Sequence, residues 1–321
     1  MPKIGIVYGM ESSFPSAVVD RINGKQIPGV VAEHIRVGEI RMAEPSGYAV
    51  IIDRISHAIE FYRAYLKNAA LGGTAVINNP FWWSADDKFF NCGLASQLGI
   101  AVPRTAILPQ KMHPPGTTAQ SMRNLKFPLN WEEIFEYVGF PAFLKPLNGG
   151  AWKHHYEVAS PQEFFEAYDQ TGSMCMSLQA AVKFEECFRC YVIGQEKVRV
   201  IPYDPKQPHH LRYAQTGNTV APFIHDRMVN DALALCRTLG YDFNVVEFAL
   251  QDGVPYAIDL LDAAPDADVH SVGEANFEWI VENMAQLAIN QALAFVPGRR
   301  PAALRWDHFM KSKAASGNNG D

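Results

Sequence analysis

Two acidic residues stand inside apolar segments towards the C-terminal end of the chain. Glu247 lies in NVVEFAL and Asp259 in YAIDLLD, and the run Gln251-Asp252-Gly253 between them is typical of a hairpin turn. If the two strands pair around this turn, both carboxylates face one site, with Asp262 just beyond the second strand. Because buried carboxylates need a partner, and because Mg²⁺ prefers such oxygen ligands beside nucleotide phosphates, the hairpin predicts a magnesium site. The alternative is an edge hairpin whose carboxylates face water.

A lysine at the end of another apolar strand is a candidate phosphate ligand. Lys145 ends AFLK and precedes Pro146 and a loop that contains Gly149 and Gly150. An ammonium group can neutralise a phosphate, and glycines allow backbone N–H groups to approach phosphate oxygens. The alternative is an ordinary exposed lysine before a turn.

Further basic side chains follow in the second half of the sequence. Arg199 and Arg212 have the planar guanidinium that binds carboxylates in a bidentate manner, so either is a candidate for a substrate carboxylate. His209 and His210 lie between them, and residues of a surface loop are an equally good interpretation of the two histidines.

The first hundred residues must position part of this chemistry. Lys3–Val7, Gly47–Asp53 and Thr74–Asn78 are short, apolar and rich in branched side chains, which predicts buried parallel strands. Ser56–Ala70 has helical spacing and ends at a Gly-Gly pair. Alternating strands and helices favour an α/β layer. The glycines after the first strand do not form a dinucleotide-binding fingerprint.

Two further α+β units follow this layer. A compact unit contains the strand Ala142–Lys145 and a helix that opens at Ser160-Pro161 with a capping box. The last unit contains the acidic hairpin, a helix over Asp226–Leu239 and a closing helix over Glu278–Phe295. The predicted divisions are 1–108, 109–177 and 178–300, with a disordered tail over 301–321.

Composition excludes several classes of function. The chain has 321 residues and a net charge of -6, which argues against nucleic-acid binding. It begins without a signal-peptide pattern and has no apolar run that could span a bilayer, so we expect a cytoplasmic protein. Its five cysteines indicate reduced thiols rather than a disulfide framework. Cys187 and Cys190 have the spacing of zinc ligands, but strand positions three apart face opposite sides.

The order of these pieces resembles the ATP-grasp ligases, which include D-alanine–D-alanine ligase and glutathione synthetase. The resemblance covers nearly the whole chain before the tail. It implies an N-terminal parallel α/β domain followed by two α+β subdomains that enclose ATP. It also implies a site for MgATP. Lys88, Lys145 and the loop with Gly149 and Gly150 would bind the phosphates, Gln179 and the backbone of Ala181 would bind adenine, and Glu186, or less favourably Glu185, would bind ribose. Arg189 and Arg199 would contact the transferring phosphate, and Glu247, Asp259 and Asp262 would hold two Mg²⁺ ions.

The implied reaction joins a carboxylate to an amine through an acyl phosphate, with release of ADP and phosphate. The implied partners are small molecules, with an amino acid or a peptide favoured, and Mn²⁺ is a possible substitute for Mg²⁺. A homodimer is common in the family. Two features depart from the family pattern, namely Asp262, where an amide one position earlier is usual, and residues 152–155, where another glycine is common. An ATP-binding sensor without activity and a phosphotransferase are the alternatives.

Overall fold

The computed structural model describes residues 2–85, 87–147, 154–184, 186–208, 211–213 and 220–296. These residues form three four-stranded sheets. The strands of the first sheet pair in parallel, and those of the other two pair antiparallel. The predicted fold class, a parallel α/β unit followed by two α+β units, is therefore confirmed.

The N-terminal sheet is covered by helices. Its unit contains β1 (Lys3–Val7), α1 (Ser13–Gly24), β2 (Val31–His34), β3 (Val50–Asp53), α2 (Glu60–Leu71), β4 (Ala75–Ile77), α3 (Pro80–Trp83) and α4 (Lys88–Gln97). The strand order is β2-β1-β3-β4, and β3 is buried along its whole length, as expected for a parallel strand covered on both faces. Helix α2 begins later than predicted because the Asp53 carboxylate accepts hydrogen bonds from the backbone of Ile55 and Ser56 and holds a turn there.

The second sheet belongs to the small unit, which we call the lid. It contains β5 (Thr105–Leu108), α5 (Trp131–Val138), β6 (Ala142–Pro146), β7 (Tyr156–Val158), α6 (Pro161–Tyr168) and β8 (Met176–Ala180), with strand order β5-β8-β6-β7. Aromatic rings pack α5 against α6; the Trp131 ring lies 5.4 Å from that of Phe164. Residues 105–108, which the sequence analysis grouped with the first domain, pair with β8 in this sheet.

The third sheet carries the acidic hairpin. Its unit contains β9 (Glu186–Ile193), β10 (Lys197–Pro202), α7 (Pro222–Leu239), β11 (Phe243–Gln251), β12 (Val254–Asp259), α8 (Val269–Val272) and α9 (Glu274–Leu293), with strand order β10-β9-β11-β12. Asp252 and Gly253 have φ of 53° and 75°, so the turn between β11 and β12 uses the left-handed residues that the Asp-Gly pair predicted. Both predicted helices begin four residues earlier than expected.

Hydrophobic clusters cover the two faces of the third sheet. Cys187, Tyr191 and Val245 pack in one core with α9 and the N-terminal sheet, whereas Cys190 and Val246 pack in another core with α7. Cys187 and Cys190 therefore face opposite sides of the sheet, as predicted. All five cysteines are free.

Asn78 joins the first sheet to the third. Its side chain is buried, and Asn78 Oδ1 accepts hydrogen bonds of 2.8 Å from the backbone N–H groups of both Asp242 and Phe243. Because these groups open β11, the contact sets where this strand begins relative to the N-terminal sheet. From the sequence alone, Asn78 could be assigned only to the end of a strand.

Asp242→Asn is expected to stabilise the protein at neutral pH. Burial raises the pKa of Asp242 to about 6, opposed by a hydrogen bond of 3.2 Å from Gln195. In the unfolded chain an Asp has a pKa of about 3.9, so between about pH 4 and pH 6 the folded state keeps a proton that the unfolded state has lost. The free energy of unfolding therefore falls as the pH rises through this range, and it stays at the lower value above about pH 6. Urea unfolding at pH 7.5 should give Asp242→Asn about 2 kcal/mol more stability than the native chain. At pH 4 the difference should vanish, and an equal gain at both pH values would contradict this assignment.

Candidate active site

A pocket lies where helix α4, the lid sheet and strand β12 meet. About 400 Å³ of space, part of it open to solvent, lies between these elements. Four residues that the sequence analysis named for ATP or its metal line this pocket, namely Lys88, Lys145, Gln179 and Asp259. The rest of its wall is formed by Asn91, Cys92, Thr105, Ser177, Ile258, Leu260 and Leu261.

Lys145 and Gln179 form the lid side of the pocket. Lys145 Nζ donates a hydrogen bond of 2.7 Å to Gln179 Oε1, and Gln179 Nε2 donates one of 3.1 Å to Thr105 Oγ1. The two residues come from β6 and β8, which are hydrogen-bonded neighbours. Burial lowers the pKa of Lys145, and the nearby Asp259 carboxylate opposes this shift. The ammonium group is thus held in a desolvated position where an anion would strengthen its charged form.

Lys88 is placed by the beginning of helix α4. The Asp87 carboxylate caps this helix by accepting a hydrogen bond of 2.8 Å from the Phe90 backbone N–H. Lys88 Nζ lies 3.9 Å from Asp259 Oδ1, and the two side chains are 37% and 44% exposed. Because this pair is well hydrated, it adds little stability, and Lys88 is available to a ligand in the pocket.

Three charged residues form one row across the third sheet. Glu247 on β11 lies opposite Arg189 on β9 and opposite Asp259 on β12. A bulge between Glu247 and Phe248 shifts the register of the hairpin at this point. Bulges often re-aim a side chain beside a functional site, and here the bulge sets the two carboxylates in the same row.

Arg189 is held firmly in this row. Arg189 Nε donates a hydrogen bond of 2.8 Å to Glu247 Oε1, and Arg189 Nη1 donates one to Tyr213 Oη. The Tyr203 ring stacks on the guanidinium, 4.0 Å from its carbon. Burial alone would lower the pKa of Arg189, but Glu247 raises it, so the guanidinium stays charged.

Asp262 is positioned by a buried asparagine. Asn244 Oδ1 accepts a hydrogen bond of 2.9 Å from the Asp262 backbone N–H, and Asn244 Nδ2 donates one of 2.9 Å to the Leu260 carbonyl. Asn244 is fully buried, so β11 supports the segment that follows β12 through this one side chain. Burial raises the pKa of Asp262, and the charge of Asp259 raises it further.

The acidic residues suit a hard divalent cation, although the described residues contain no arrangement of three His, Cys, Asp or Glu side chains that could hold a metal ion. Burial raises the pKa of Glu247, and Asp259 and Asp262 raise it further against the opposing effect of Arg189. A cation would offset this repulsion, and carboxylate oxygens are what Mg²⁺ prefers. Glu247 would then share its carboxylate between the cation and Arg189.

No protein-family model matches the sequence, and no curated protein is similar to it in sequence. Solved structures are similar in fold. The ATP-grasp ligase PsnB has a TM-score of 0.62 at 15% identity, over 91% of this chain and 100% of that one. D-alanine–D-alanine ligase from Bacillus anthracis has a TM-score of 0.59 at 15% identity, over 92% of this chain and 98% of that one. The VanG D-Ala:D-Ser ligase from Enterococcus faecalis has a TM-score of 0.63 at 14% identity, over 91% of this chain and 99% of that one.

The chain has the ATP-grasp fold. The resemblance inferred from the order of motifs is therefore confirmed at the level of the fold. In this ATP-grasp chain the lid sheet and the third sheet both contribute to the wall of one pocket, the former through Lys145 and Gln179 and the latter through Asp259. Among the described residues, no helix is long and apolar enough to cross a membrane.

The other predicted residues lie in different places on the ATP-grasp fold. Arg199 is directed towards helix α9, where Arg199 Nε donates a hydrogen bond of 2.7 Å to Asn276 Oδ1. The Ala181 backbone N–H donates one of 3.0 Å to the Pro141 carbonyl, so it is engaged within the lid. Glu186 is the first residue of β9. The following predicted residues lie outside the described residues: Gly149, Gly150, Trp152, Lys153, Glu185, His209, His210 and the tail 301–321.

Sequence reasoning missed three polar residues of this region, Asn91, Tyr213 and Asn244. Tyr213 donates to or accepts from Tyr191 Oη at 2.9 Å and contacts Arg189, whereas Asn244 holds the segment with Asp262. Asn91 is buried on the same helix as Lys88 and lines the pocket. An asparagine inside an apolar strand, as in FNVVEFAL, was the available signal for Asn244, since a buried amide needs partners.

Asn244→Ala should weaken both the fold and the acidic site. The substitution leaves the Leu260 carbonyl and the Asp262 N–H without their buried partner, at about 1–3 kcal/mol for each group. We expect the free energy of unfolding to fall by about 3 kcal/mol and the Mg²⁺ concentration for half-maximal nucleotide binding to rise. Asn283→Ala on helix α9 is the control. The amide that it removes donates a hydrogen bond to the Trp279 carbonyl of the same helix. Equal stability losses in the two variants would contradict the role given to Asn244.

Proposed function

We propose that this protein is an ATP-dependent ligase that joins a carboxylate to an amine. The observation that carries the proposal is the convergence of Lys88, Lys145 and Gln179 with Asp259 on one pocket of an ATP-grasp fold. Glu247 lies beside Asp259 in the same sheet row, and Asp262 follows on the same segment. The two ammonium groups suit a polyanion such as a nucleotide triphosphate. The two or three carboxylates near them suit the cation that accompanies it.

In the proposed reaction a substrate carboxylate oxygen attacks the γ-phosphorus of ATP. The bond between this phosphorus and the β–γ bridging oxygen breaks, ADP leaves, and an acyl phosphate forms. The amine nitrogen then attacks the acyl carbon, loses a proton and expels phosphate. Such transfer depends mainly on positioning and on neutralising the phosphoryl oxygens. Lys88 and Lys145 supply positive charge for this from two different elements.

Glu247, Asp259 and Asp262 would have to come together around Mg²⁺, since the described residues contain no ready arrangement of three such ligands. The ion would then neutralise charge on the phosphoryl oxygens. Arg189 keeps Glu247 oriented through its two hydrogen bonds and is the positively charged side chain nearest the acids on this sheet face. We assign Arg189 to the transferring phosphate or to the orientation of Glu247. Arg199 contacts Asn276 and lies over the Trp279 ring. We propose that it acts towards the substrate, further along the same face of the third sheet.

The lid provides a way to exclude water from the acyl phosphate. Lys145 and Gln179 belong to the lid sheet, whereas Asp259 belongs to the third sheet, so the pocket spans two units. A nucleotide that contacts both walls would draw the lid towards the third sheet. Closure of this kind prevents hydrolysis of reactive intermediates.

The related folds guide the choice of substrates. D-alanine–D-alanine ligase and a D-Ala:D-Ser ligase join amino acids, and PsnB has been solved with a precursor peptide and with Mg and ADP. A structure of D-alanine–D-alanine ligase contains ATP. We therefore propose MgATP as the nucleotide and an amino acid or a peptide as one substrate.

The test is ADP release from MgATP against a matrix of amino acids, peptides and small amines. Release that requires one carboxylate and one amine together supports the ligase and names its substrates. A stable phosphorylated product without any amine would replace the ligase with a phosphotransferase. If MgATP does not bind to the purified protein at millimolar concentration, the proposal fails altogether.

A second function has one observation in its favour. The Glu247 carboxylate is already bonded to Arg189, so part of the metal-binding capacity of the site is taken up within the protein. An ATP-binding protein without ligase activity would retain the pocket and tolerate this contact. MgATP bound at micromolar affinity with no turnover across the matrix favours that alternative.

A further inference from the structure

A second groove lies away from the candidate active site, at the beginning of helix α7. It has a volume of about 330 Å³, within the range of about 300–1,000 Å³ that is usual for ligand sites. It shares no lining residue with the pocket that contains Lys145. We call it the α7 groove. Its wall includes Phe223, Ile224 and Arg227 of α7, Val254 and Pro255 of β12, and Ala101.

The α7 groove combines buried and exposed apolar residues. Ile224 is 7% exposed and Pro255 is buried, whereas Phe223 and Val254 are 70% and 40% exposed. Single exposed apolar side chains are common on protein surfaces, but two beside one groove give a ligand a hydrophobic surface on which to pack. A bound molecule would remove this surface from water, which favours a ligand with an apolar body.

Arg227 is the one charged residue in the wall of the α7 groove. Arg227 Nε donates a hydrogen bond of 2.7 Å to Asp231 Oδ2, and Arg227 Nη2 donates one of 2.6 Å to the Gly99 carbonyl. Half of the side chain is exposed, and a guanidinium has five N–H groups, so others are left for a ligand carboxylate. Because Asp231 already neutralises part of the charge, the groove suits one carboxylate better than a polyanion such as a nucleotide.

The α7 groove also borders the segment that joins helix α4 to the lid. Residues 98–104, which we call the linker, connect the end of α4 to the beginning of β5 in the lid sheet. The Gly99 carbonyl accepts its hydrogen bond from Arg227, and the Ala101 carbonyl accepts one of 2.8 Å from the Ala257 N–H of β12. The linker is therefore fastened to α7 and β12 beside the groove, between Lys88 on α4 and the lid.

We propose that the α7 groove is a second ligand site, which takes a small apolar carboxylate and regulates the affinity for MgATP. The apolar body of the ligand would pack on Phe223 and Val254, and its carboxylate would accept hydrogen bonds from Arg227. Movement of the lid changes the linker, which forms part of the groove, so the ligand would bind the open and closed positions of the lid with different affinities. A ligand shifts a conformational equilibrium only through such a difference. Only the effect on MgATP rests on the proposed function.

The test of the site uses 2-naphthylacetate, an aromatic carboxylate, and its neutral counterpart 2-naphthylacetamide. Each is titrated into the native chain by calorimetry without nucleotide. We expect one molecule of the carboxylate to bind per chain, about tenfold more tightly than the amide does, because the amide lacks the charge that Arg227 recognises. Phe223→Ala and Arg227→Gln should each weaken binding of the carboxylate about tenfold.

Two matched variants serve as controls and should bind 2-naphthylacetate like the native chain. Phe127→Ala removes a phenylalanine of the lid that is 87% exposed. Arg237→Gln removes an arginine of α7 that, like Arg227, donates a hydrogen bond to a backbone carbonyl, that of Gln195 at 3.0 Å. Thermal melting identifies any variant that fails to fold. Should Arg227→Gln unfold because buried Asp231 loses its partner, Phe223→Ala still decides, since Phe223 is exposed.

The regulatory effect is measured by titrating MgATP into the native chain with saturating 2-naphthylacetate. The MgATP affinity should change about fivefold or more, and MgATP should change the affinity for 2-naphthylacetate by the same factor. Folded Phe223→Ala should show a smaller change at the same concentration of 2-naphthylacetate. Unchanged MgATP affinity in the presence of bound 2-naphthylacetate would overturn the regulatory role.

Other outcomes would overturn the site itself. Absence of saturable 2-naphthylacetate binding, or native affinity in folded Phe223→Ala, would exclude the α7 groove. Equal affinity for the amide would exclude recognition of the carboxylate by Arg227. Loss of binding in Lys145→Met with retention in Phe223→Ala would place 2-naphthylacetate in the candidate active site. If the native chain binds 2-naphthylacetate in the groove but does not bind MgATP, the proposed ligase is wrong while the second site stands.

Discussion

Asp259→Asn is expected to lower ATP turnover about a thousandfold, because a metal ion contributes several kcal/mol to the stabilisation of charge in phosphoryl transfer. The substitution keeps the shape of the side chain and removes the negative charge that lies opposite Glu247 on the third sheet. We also expect the Mg²⁺ concentration for half-maximal activity to rise. Steady-state ADP release across a Mg²⁺ titration measures both effects.

The loss should not come from unfolding. Asp259 raises the pKa values of Glu247 and Asp262, whose own burial is the larger cause, so removing its charge relieves repulsion in the metal-free protein. The melting temperature of metal-free Asp259→Asn should therefore equal or exceed that of the native chain. Glu247→Gln is a poorer test, because it leaves the guanidinium of Arg189 buried without its carboxylate, at about 3–5 kcal/mol.

A control lies in the same hairpin. Asp252→Asn makes the same chemical change at an exposed turn residue with φ of 53°, a conformation that asparagine tolerates well. It should retain native turnover and native Mg²⁺ dependence. If Asp259→Asn turns over ATP within tenfold of this control, Asp259 does not hold the metal.

Lys145→Met should weaken nucleotide binding by about 10- to 100-fold, because a charge-assisted hydrogen bond to phosphate in a desolvated pocket is stronger than one in water. The methionine side chain is unbranched, one atom shorter than that of lysine, and uncharged. Stability should change little, since the gain from not burying an ammonium group is offset by the unpaired Gln179 Oε1. Calorimetric titration with MgATP measures the affinity.

Proton uptake gives a second measure of the Lys145 prediction. Burial lowers the pKa of Lys145 in the free protein, and phosphate oxygens would raise it again. MgATP binding to the native chain at alkaline pH should then take up protons, seen as binding heats that differ between buffers of unequal ionisation enthalpy. Lys145→Met should lose this difference, whereas Lys126→Met on the exposed lid loop should keep it. Equal affinity in both variants would exclude Lys145 from the nucleotide site.

Much of the site could be predicted from local patterns. The Asp-Gly turn between two apolar segments indicated the hairpin of β11 and β12, and the pairing of these strands places Glu247 opposite Asp259. Lys145 could be assigned to a strand end because an apolar strand and a proline bound it. These features depend on neighbours within a few residues, and local propensity and turn chemistry are what a single sequence records most directly.

Contacts between distant segments could not be predicted in the same way. Lys145 bonds to Gln179 across 34 residues, and Arg189 bonds to Glu247 across 58. Strand β5 pairs with β8, although the sequence between them suggested a boundary at residue 108. Strand partners are chosen by packing over the whole sheet, and the bulge at Glu247 shifts the register in a way that no local pattern indicates.

The sequence by itself determined the types and order of the elements, the apolar strands that must be buried, and the few charged residues that a buried strand would not carry without a purpose. Only the tertiary structure decided which of these charges meet, that Arg189 is bonded to Glu247 while Arg199 turns to α9, and that Asn91 Oδ1 is buried without a hydrogen-bond partner among the described residues. The physical reason is that burial and partner choice depend on contacts distributed over the whole chain, whereas propensity, turn chemistry and charge are properties of the residues themselves.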